Sequence, residues 1–174
     1  SDEEMDRKAR LVEEFLDLAR PETVWDLGAN TGRFSRIAAA RGISTVAIEA
    51  DPACVESAYL QAKADGETNL LPLWIDLFNP SPGIGWANRE RFALFDRGRP
   101  DLLLALAIVH HLAIAGNLPL ENLARFFPPL APWLAIEFVS PEDPRARRLI
   151  AQHQGVHHPY DQEHFEKCFS THYT

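Results

Sequence analysis

Six polar side chains in this 174-residue sequence end or directly follow short apolar runs: Asp26, Glu49, Asp76, His110, His111 and Glu137. Carboxylates accept hydrogen bonds from hydroxyl, amino and ammonium groups, and imidazoles accept protons near neutral pH. If the apolar runs are parallel strands, their carboxyl ends meet at one edge of a sheet, where ligands bind. These residues therefore predict a cofactor site with proton-accepting groups beside it.

The first of these residues opens a glycine-bearing loop, Asp26-Leu27-Gly28-Ala29-Asn30-Thr31-Gly32. Gly28 and Gly32 bracket a tight turn at which a ligand can approach bare backbone. The helix that follows offers N–H groups and a dipole to an anionic or carboxylate-bearing group. Asn30 stands where the dinucleotide pattern G-x-G-x-x-G has its second glycine, and no P-loop lysine follows, which disfavours a pyrophosphate and a nucleoside triphosphate.

The elements that must position these residues alternate between strands and helices. We expect strands at 23–27, 44–48, 70–75, 101–109 and 133–139, and helices that include 3–19, 53–64, 119–127, 143–152 and 162–169. This order predicts a single α/β domain over 1–174, a doubly wound and mostly parallel sheet with helices on both faces. The insertion 79–99 departs from the alternation. It is predicted to hold a short helix at 88–95 and to act as a lid over the acceptor.

Composition limits the partners. The formal charge of −8, from 17 basic and 25 acidic residues, argues against nucleic acid, whose phosphates call for a basic face. No apolar run reaches the roughly 18 residues of a membrane span, and no signal peptide is visible in a chain that begins at Ser1. Cys54 and Cys168 are far apart and are expected to be reduced thiols in a cytoplasmic protein. His157, His158 and His164 match no zinc spacing, so no metal is predicted.

At the strand ends the chain resembles the class I, Rossmann-like S-adenosylmethionine-dependent methyltransferases. The resemblance covers about residues 22–140 and includes the insertion from Asn79 and the two histidines, which are similar to a bacterial, nodulation-type group. It rests on Asp26-Leu27-Gly28-Ala29-Asn30-Thr31-Gly32, Ala47-Ile48-Glu49-Ala50-Asp51-Pro52, Trp74-Ile75-Asp76, Leu104-Ala105-Leu106-Ala107-Ile108-Val109-His110-His111-Leu112 and Ile136-Glu137-Phe138-Val139.

The resemblance implies S-adenosylmethionine as cofactor and a role for each matching residue. Asp26 would hold the ammonium, Glu49 the ribose and Asp76 the adenine amino group. The remaining cofactor contacts would be the loop residues Gly28, Ala29, Asn30 and Gly32, together with Ala50, Leu77 on the adenine ring, and Ala105 and Leu106 beneath the sulfonium. Asp26, Glu49 and Asp76 also fit plain roles in turns, helix starts and loops, and Asp51 is better explained as a helix cap.

The candidate proton acceptors for methyl transfer are His111, His110 and Glu137, beside a small-molecule acceptor. Each also fits a structural role: the histidines as helix caps or packed side chains, and Glu137 as a hydrogen-bonding group.

The family usually ends with two further strands, the last of them antiparallel, whereas only Ser170 to Thr174 follow the last predicted helix. We therefore expect a sheet without the C-terminal antiparallel hairpin, either because the chain is truncated or because another segment or subunit completes it. Two other functions stay open: a non-catalytic cofactor-binding or scaffolding domain of a larger protein, and a nicotinamide-dependent oxidoreductase.

Overall fold

The computed structural model describes residues 2–153 and 157–173 and contains one central sheet. Its strands are β1 (Thr23–Leu27), β2 (Ser44–Glu49), β3 (Leu70–Trp74), β4 (Leu102–Ala105) and β5 (Trp133–Ile136). All neighbours pair in parallel, in the spatial order β3-β2-β1-β4-β5. The chain order reverses between β1 and β4, which is the switch point at which such sheets bind ligands. The predicted doubly wound α/β fold is confirmed.

The helices form where the apolar spacing predicts them. They are α1 (Asp2–Ala19), α2 (Arg33–Ala40), α3 (Pro52–Asp65), α4 (Leu120–Phe126), α5 (Pro144–Gln152) and α6 (Gln162–Phe169). Asp51, Asp143 and Asp161 cap the starts of α3, α5 and α6, since each carboxylate accepts a backbone N–H of the first turn. Among the described helices, none has the length and apolar character to cross a membrane.

Every side chain of β4 is buried, which shows that the core covers both faces of the sheet. Leu102 and Leu104 pack with Val12 and Leu16 of α1 and with Ala38 of α2. The alternate residues face the opposite layer of helices: Leu103 and Ala105 pack with a cluster that includes Leu123, Phe127, Phe165 and Phe169. Alternation along one strand therefore fixes which helices cover each face.

β3 ends one residue earlier than predicted, and β4 and β5 end three or four residues earlier, with the remaining residues at the ligand edge. β4 ends at Ala105 instead of 109, because Ala107 adopts a left-handed conformation with φ of 52° that leaves the strand. A π-helical turn, His111–Ala115, comes next. β5 ends at Ile136 instead of 139, so Glu137 follows the strand rather than lying inside it.

The insertion 79–99 is folded on itself. Its two halves pair through the backbones of Ile84 and Arg91, and the ring of Phe95 packs edge-on against Phe126 of α4, with centroids 5.2 Å apart. The helix predicted at 88–95 is wrong: two 3-10 turns, Trp86–Asn88 and Leu94–Asp96, take its place. Ala87 and Asn88 have φ of 54° and 57°, which breaks a right-handed helix at that point.

Beyond β5, the described residues contain α5 and α6 but no further strand. β3 and β5 are therefore the two edges of the five-stranded sheet.

Candidate functional site

An open cleft of about 1620 Å³ runs along the carboxyl ends of the strands. The parallel register explains it, since Leu27 pairs with Ile48 and Glu49 with Trp74, which places the strand ends side by side. The cleft brings together most of the residues predicted for the site: Asp26, Gly28, Ala29, Asn30, Glu49, Ala50, Asp76, Leu77, Leu106, His110, His111 and Glu137.

Among the residues that the structure describes, Gly32 and Ala105 do not line the cleft, and their cofactor contacts stay a prediction. Gly32 adopts φ of 81° at the start of α2 and donates its N–H to the Ala29 carbonyl at 2.9 Å. Ala105 is fully buried in β4, and its carbonyl accepts the N–H of Glu137 at 3.2 Å. Both residues hold the loops around the cleft in place.

Most backbone N–H groups of the glycine loop donate to acceptors within the protein. Those of Gly28 and Ala29 donate to the Ile48 carbonyl at 2.8 and 3.0 Å, and that of Thr31 donates to Oδ1 of Asn30 at 2.9 Å. An anionic ligand group would therefore meet the N–H groups of Arg33 and Phe34 in the first turn of α2, which have no intrahelical acceptor. Both residues line the cleft.

The close approach of Ile108 leaves no room for a side chain at Gly28. Its φ is 75°, and a Cβ atom there would lie 2.9 Å from Cδ1 of Ile108 and 3.3 Å from its Cβ. The loop after β4 therefore packs directly on bare backbone of the loop after β1.

Glu49 connects two loops at the centre of the site. Its Oε2 accepts the N–H of Asn30 at 2.8 Å, while its Oε1 accepts those of Ala50 and Asp51 at 2.7 and 2.9 Å. A carboxylate has about four lone-pair positions. With three of them used, Oε2 keeps one for a hydroxyl of a ligand in the cleft.

Asp26 is a buried acid. It alternates with Val24 on the α2 side of β1, is 2% exposed, and accepts a 2.6 Å hydrogen bond from the hydroxyl of Ser35. Burial raises the pKa of Asp26 from 3.8 to about 6, against the lowering effect of the hydrogen bonds from Ser35. A cationic ligand group placed beside Asp26 would favour its ionised form.

Asp76 lies exposed just beyond β3, and its Oδ1 accepts the N–H of Phe78 at 2.9 Å. No described residue donates to its Oδ2. Leu77 lines the same part of the cleft. An amino group with an aromatic ring beneath it would find both an acceptor and an apolar surface there.

The two histidines lie together, with ring centroids 4.2 Å apart. His110 is 5% exposed, and burial lowers its pKa from 6.5 to about 4. Desolvation also lowers the pKa of His111. Both rings are therefore neutral at pH 7. Within the described part of the chain, the buried Nδ1 of His110 has no hydrogen-bond partner.

Glu137 pairs with a residue that sequence reasoning missed. Its Oε1 lies 2.7 Å from Nζ of Lys8 on α1, whereas its buried Oε2 has no partner among the described residues. Lys8 joins Arg145 and Arg148 of α5 in the cleft wall. The sequence gives only the amphipathic pattern of α1, with no signal that its polar side reaches a strand end.

The lid role of the insertion 79–99 stays a prediction. The described lining of the cleft includes none of residues 79–99, because Phe95 holds that insertion against α4. The first turns of α1 and the segment 137–152 form the wall in its place.

The comparisons with known proteins agree with this fold. No protein-family model matches the chain. Nodulation protein NoeA of Rhizobium meliloti (strain 1021) is 38% identical over 164 residues, which are 94% of this chain and 34% of NoeA. The bifunctional kinase-methyltransferase WbdD superposes with a TM-score of 0.63 at 18% identity, covering 84% of this chain and 33% of WbdD. A structure of monomeric WbdD gives 0.61 at 18% identity, with 84% and 36% covered.

This chain thus spans about a third of the length of the relatives it matches. At 18% identity the likeness to WbdD is one of fold, whereas the likeness to NoeA extends over nearly the whole sequence. The chain therefore has a Rossmann-like methyltransferase fold, and nearly all of it is similar to about a third of the nodulation protein NoeA.

Proposed function

We propose that the cleft binds S-adenosylmethionine and that the chain transfers its methyl group to a small molecule with an oxygen or nitrogen nucleophile. The observation that carries the proposal is the position of Glu49, at the end of β2 and hydrogen-bonded to the glycine loop. The matching strand-end residues and the name of the structural relative WbdD, a kinase-methyltransferase, support the same cofactor.

The ribose would bind at Glu49. Because Oε1 already accepts two backbone N–H groups and Oε2 accepts one, a ribose hydroxyl would donate to Oε2. A charged acceptor makes a stronger hydrogen bond than a neutral one, so this contact favours a diol over a plain aromatic ligand.

The two ends of the cofactor would bind on either side of Glu49. The ammonium group would lie toward Asp26, and the carboxylate would lie toward the first turn of α2, where Arg33 adds a positive charge. The adenine amino group would donate to Oδ2 of Asp76, with Leu77 against the ring.

The acceptor would bind between His110, Glu137 and the basic wall that Lys8, Arg145 and Arg148 form. The cofactor brings the activated methyl group, and the protein contributes orientation and exclusion of water. A neutral His110 with a pKa near 4 is a weak base at pH 7 but accepts a hydrogen bond from a hydroxyl or amino group. His110 and Glu137 would thus orient the nucleophile through Nδ1 and Oε2, the two buried atoms that have no partner among the described residues.

Calorimetry with S-adenosylhomocysteine, and with NAD as a competing candidate, tests this proposal on the chain as it stands. We expect heat from S-adenosylhomocysteine and none from NAD. Glu49→Gln should weaken binding by about 1–3 kcal/mol, the scale of a charged hydrogen bond. Glu56→Gln, on the exposed side of α3, is the matched control and should leave the affinity unchanged. Heat from NAD alone would contradict the proposal, as would equal affinities for the two variants.

A further inference from the structure

A second cavity, of about 310 Å³, lies between α4 and α6. Among the described residues, its lining shares no member with the cleft, so it is a separate place in the molecule. Three potential metal ligands meet there, namely Glu121 from the first turn of α4 and His164 and Cys168 from α6. His172, in the chain after α6, lines the same cavity.

A carboxylate oxygen and a thiol sulfur both lie near one ring nitrogen. Nε2 of His164 lies 3.0 Å from Oε1 of Glu121 and 3.7 Å from Sγ of Cys168. All three donor atoms lie within 4.8 Å of one another. The spacing of four residues places His164 and Cys168 on the same side of α6, and packing of α4 on α6 brings the carboxylate to them.

The two separations from Nε2 of His164 fit a tetrahedral zinc site. From zinc–ligand bonds of about 2.0–2.3 Å, the edges of such a site are about 3.4 Å between nitrogen and oxygen and about 3.6 Å between nitrogen and sulfur. The observed 3.0 and 3.7 Å need only small side-chain adjustments. Thiolate, imidazole and carboxylate together are a donor set that zinc accepts.

The charges of the cavity also suit a divalent cation. A glutamate and a thiolate together balance a doubly charged ion. The cavity wall includes two cationic side chains, but the guanidinium of Arg125 donates to the Glu121 carbonyl at 3.2 Å and to Oδ1 of Asn122 at 2.8 Å. Lys167 belongs to the last turn of α6 and has a flexible stem.

We propose that Glu121, His164 and Cys168 bind a zinc ion that clamps α4 to α6, with His172 or water as the fourth ligand. The spacing rules applied to the sequence predict no metal, because they consider only histidines and cysteines that are clustered along the chain. The third ligand, Glu121, comes from a different helix, and only the packing of α4 on α6 brings it near. Because α6 also supplies Phe165 and Phe169 to the core, the ion would stabilise that layer of the fold.

Cobalt substitution tests the site directly. The chain is stripped with a chelator, titrated with Co²⁺ and then challenged with Zn²⁺. We expect one Co²⁺ per chain, with a thiolate-to-metal charge-transfer band that Zn²⁺ abolishes. Zn²⁺ should also raise the melting temperature, because it binds the folded state.

The variants decide which residues bind the metal. Cys168→Ser should remove the charge-transfer band. Cys54 lines the cleft and provides the matched control, since Cys54→Ser should retain the band. Glu121→Gln, at an exposed position, should weaken Zn²⁺ binding at least tenfold and reduce the rise in melting temperature. An absent band in the unmodified chain would overturn the proposal. So would a Zn²⁺ affinity that Glu121→Gln leaves unchanged.

Discussion

The backbone N–H of Asn30 donates to Oε2 of Glu49 at 2.8 Å, so the loop after β1 is tied to the end of β2. Asn30 adopts φ of 51° to make this contact, a conformation that asparagine tolerates better than most residues. The bond holds the carboxylate at the centre of the cleft before any ligand arrives. Such preorganisation reduces the entropy that binding must overcome.

Gly28→Ala should destabilise the fold by more than the conformational cost alone. A left-handed alanine costs of order 1 kcal/mol, and Gly42→Ala measures that cost by itself, because no described atom lies within 4 Å of a Cβ there. At Gly28 the contact with Ile108 should add about 1 kcal/mol. Urea unfolding of Gly28→Ala with and without Ile108→Ala checks this. Equal losses at Gly28 and Gly42 would contradict the packing described for the cleft floor.

Asp26→Asn should stabilise the protein while weakening cofactor binding. The rise of the pKa of Asp26 from 3.8 to about 6 means that the folded state penalises the carboxylate by about 3 kcal/mol above pH 6. The folded state holds this proton more tightly than the unfolded chain, so the penalty falls as the pH drops from about 6 to about 4. The gain from Asp26→Asn should therefore be largest near pH 8 and disappear near pH 4.

Thermal unfolding across that pH range measures the effect. Asp65→Asn, at the exposed end of α3, is the control and should show no comparable gain. A gain from Asp26→Asn that does not depend on pH would show that the buried charge is not its cause.

Lys8→Met should destabilise the protein by about 1–3 kcal/mol, because it leaves the half-buried Glu137 without its charged partner. The double variant Lys8→Met/Glu137→Gln should recover part of that loss. Arg33→Met is the control, since it breaks the more exposed pair between α2 and Asp6 of α1, worth roughly 0–1 kcal/mol. Chemical denaturation of these three variants and of the single variant Glu137→Gln gives the four values, and purely additive losses for Lys8 and Glu137 would refute the coupling.

His110 should titrate with a pKa near 4, below the ordinary histidine value of 6.5, because burial disfavours its charged form. Stability contributed by the neutral ring is present above pH 6.5 and is lost as the pH falls toward 4. Nuclear magnetic resonance of ¹³C-labelled histidine measures this pKa, with His110→Gln to assign the signal. A midpoint near 6.5 would mean that His110 is open to solvent.

Many of the strands and helices can be predicted because they depend on residues that are neighbours in the sequence. The β-branched run before Glu49 forms β2, and Asp51 with Pro52 starts α3 as a cap and a first helical residue. Parallel pairing then places Asp26, Glu49 and Asp76 at one edge without further information. The positions of these three residues can therefore be predicted from the sequence.

The rest depends on contacts between distant segments. Lys8 and Glu137 lie at opposite ends of the chain, and nothing in the pattern of α1 shows which strand end it covers. The insertion 79–99 has loop chemistry that signals irregular backbone but no packing partner, and Phe95 finds Phe126 only in the folded state. The sequence suggests that the backbone N–H groups of the glycine loop can bind a ligand, yet the Ile48 carbonyl accepts two of them.

The most direct measurement is a crystal structure of this chain with S-adenosylhomocysteine. We predict density in the cleft, with a ribose hydroxyl within hydrogen-bond distance of Oε2 of Glu49 and the adenine amino group at Asp76. Density elsewhere, or a ligand in the cleft with its ribose away from Glu49, would contradict the central claim.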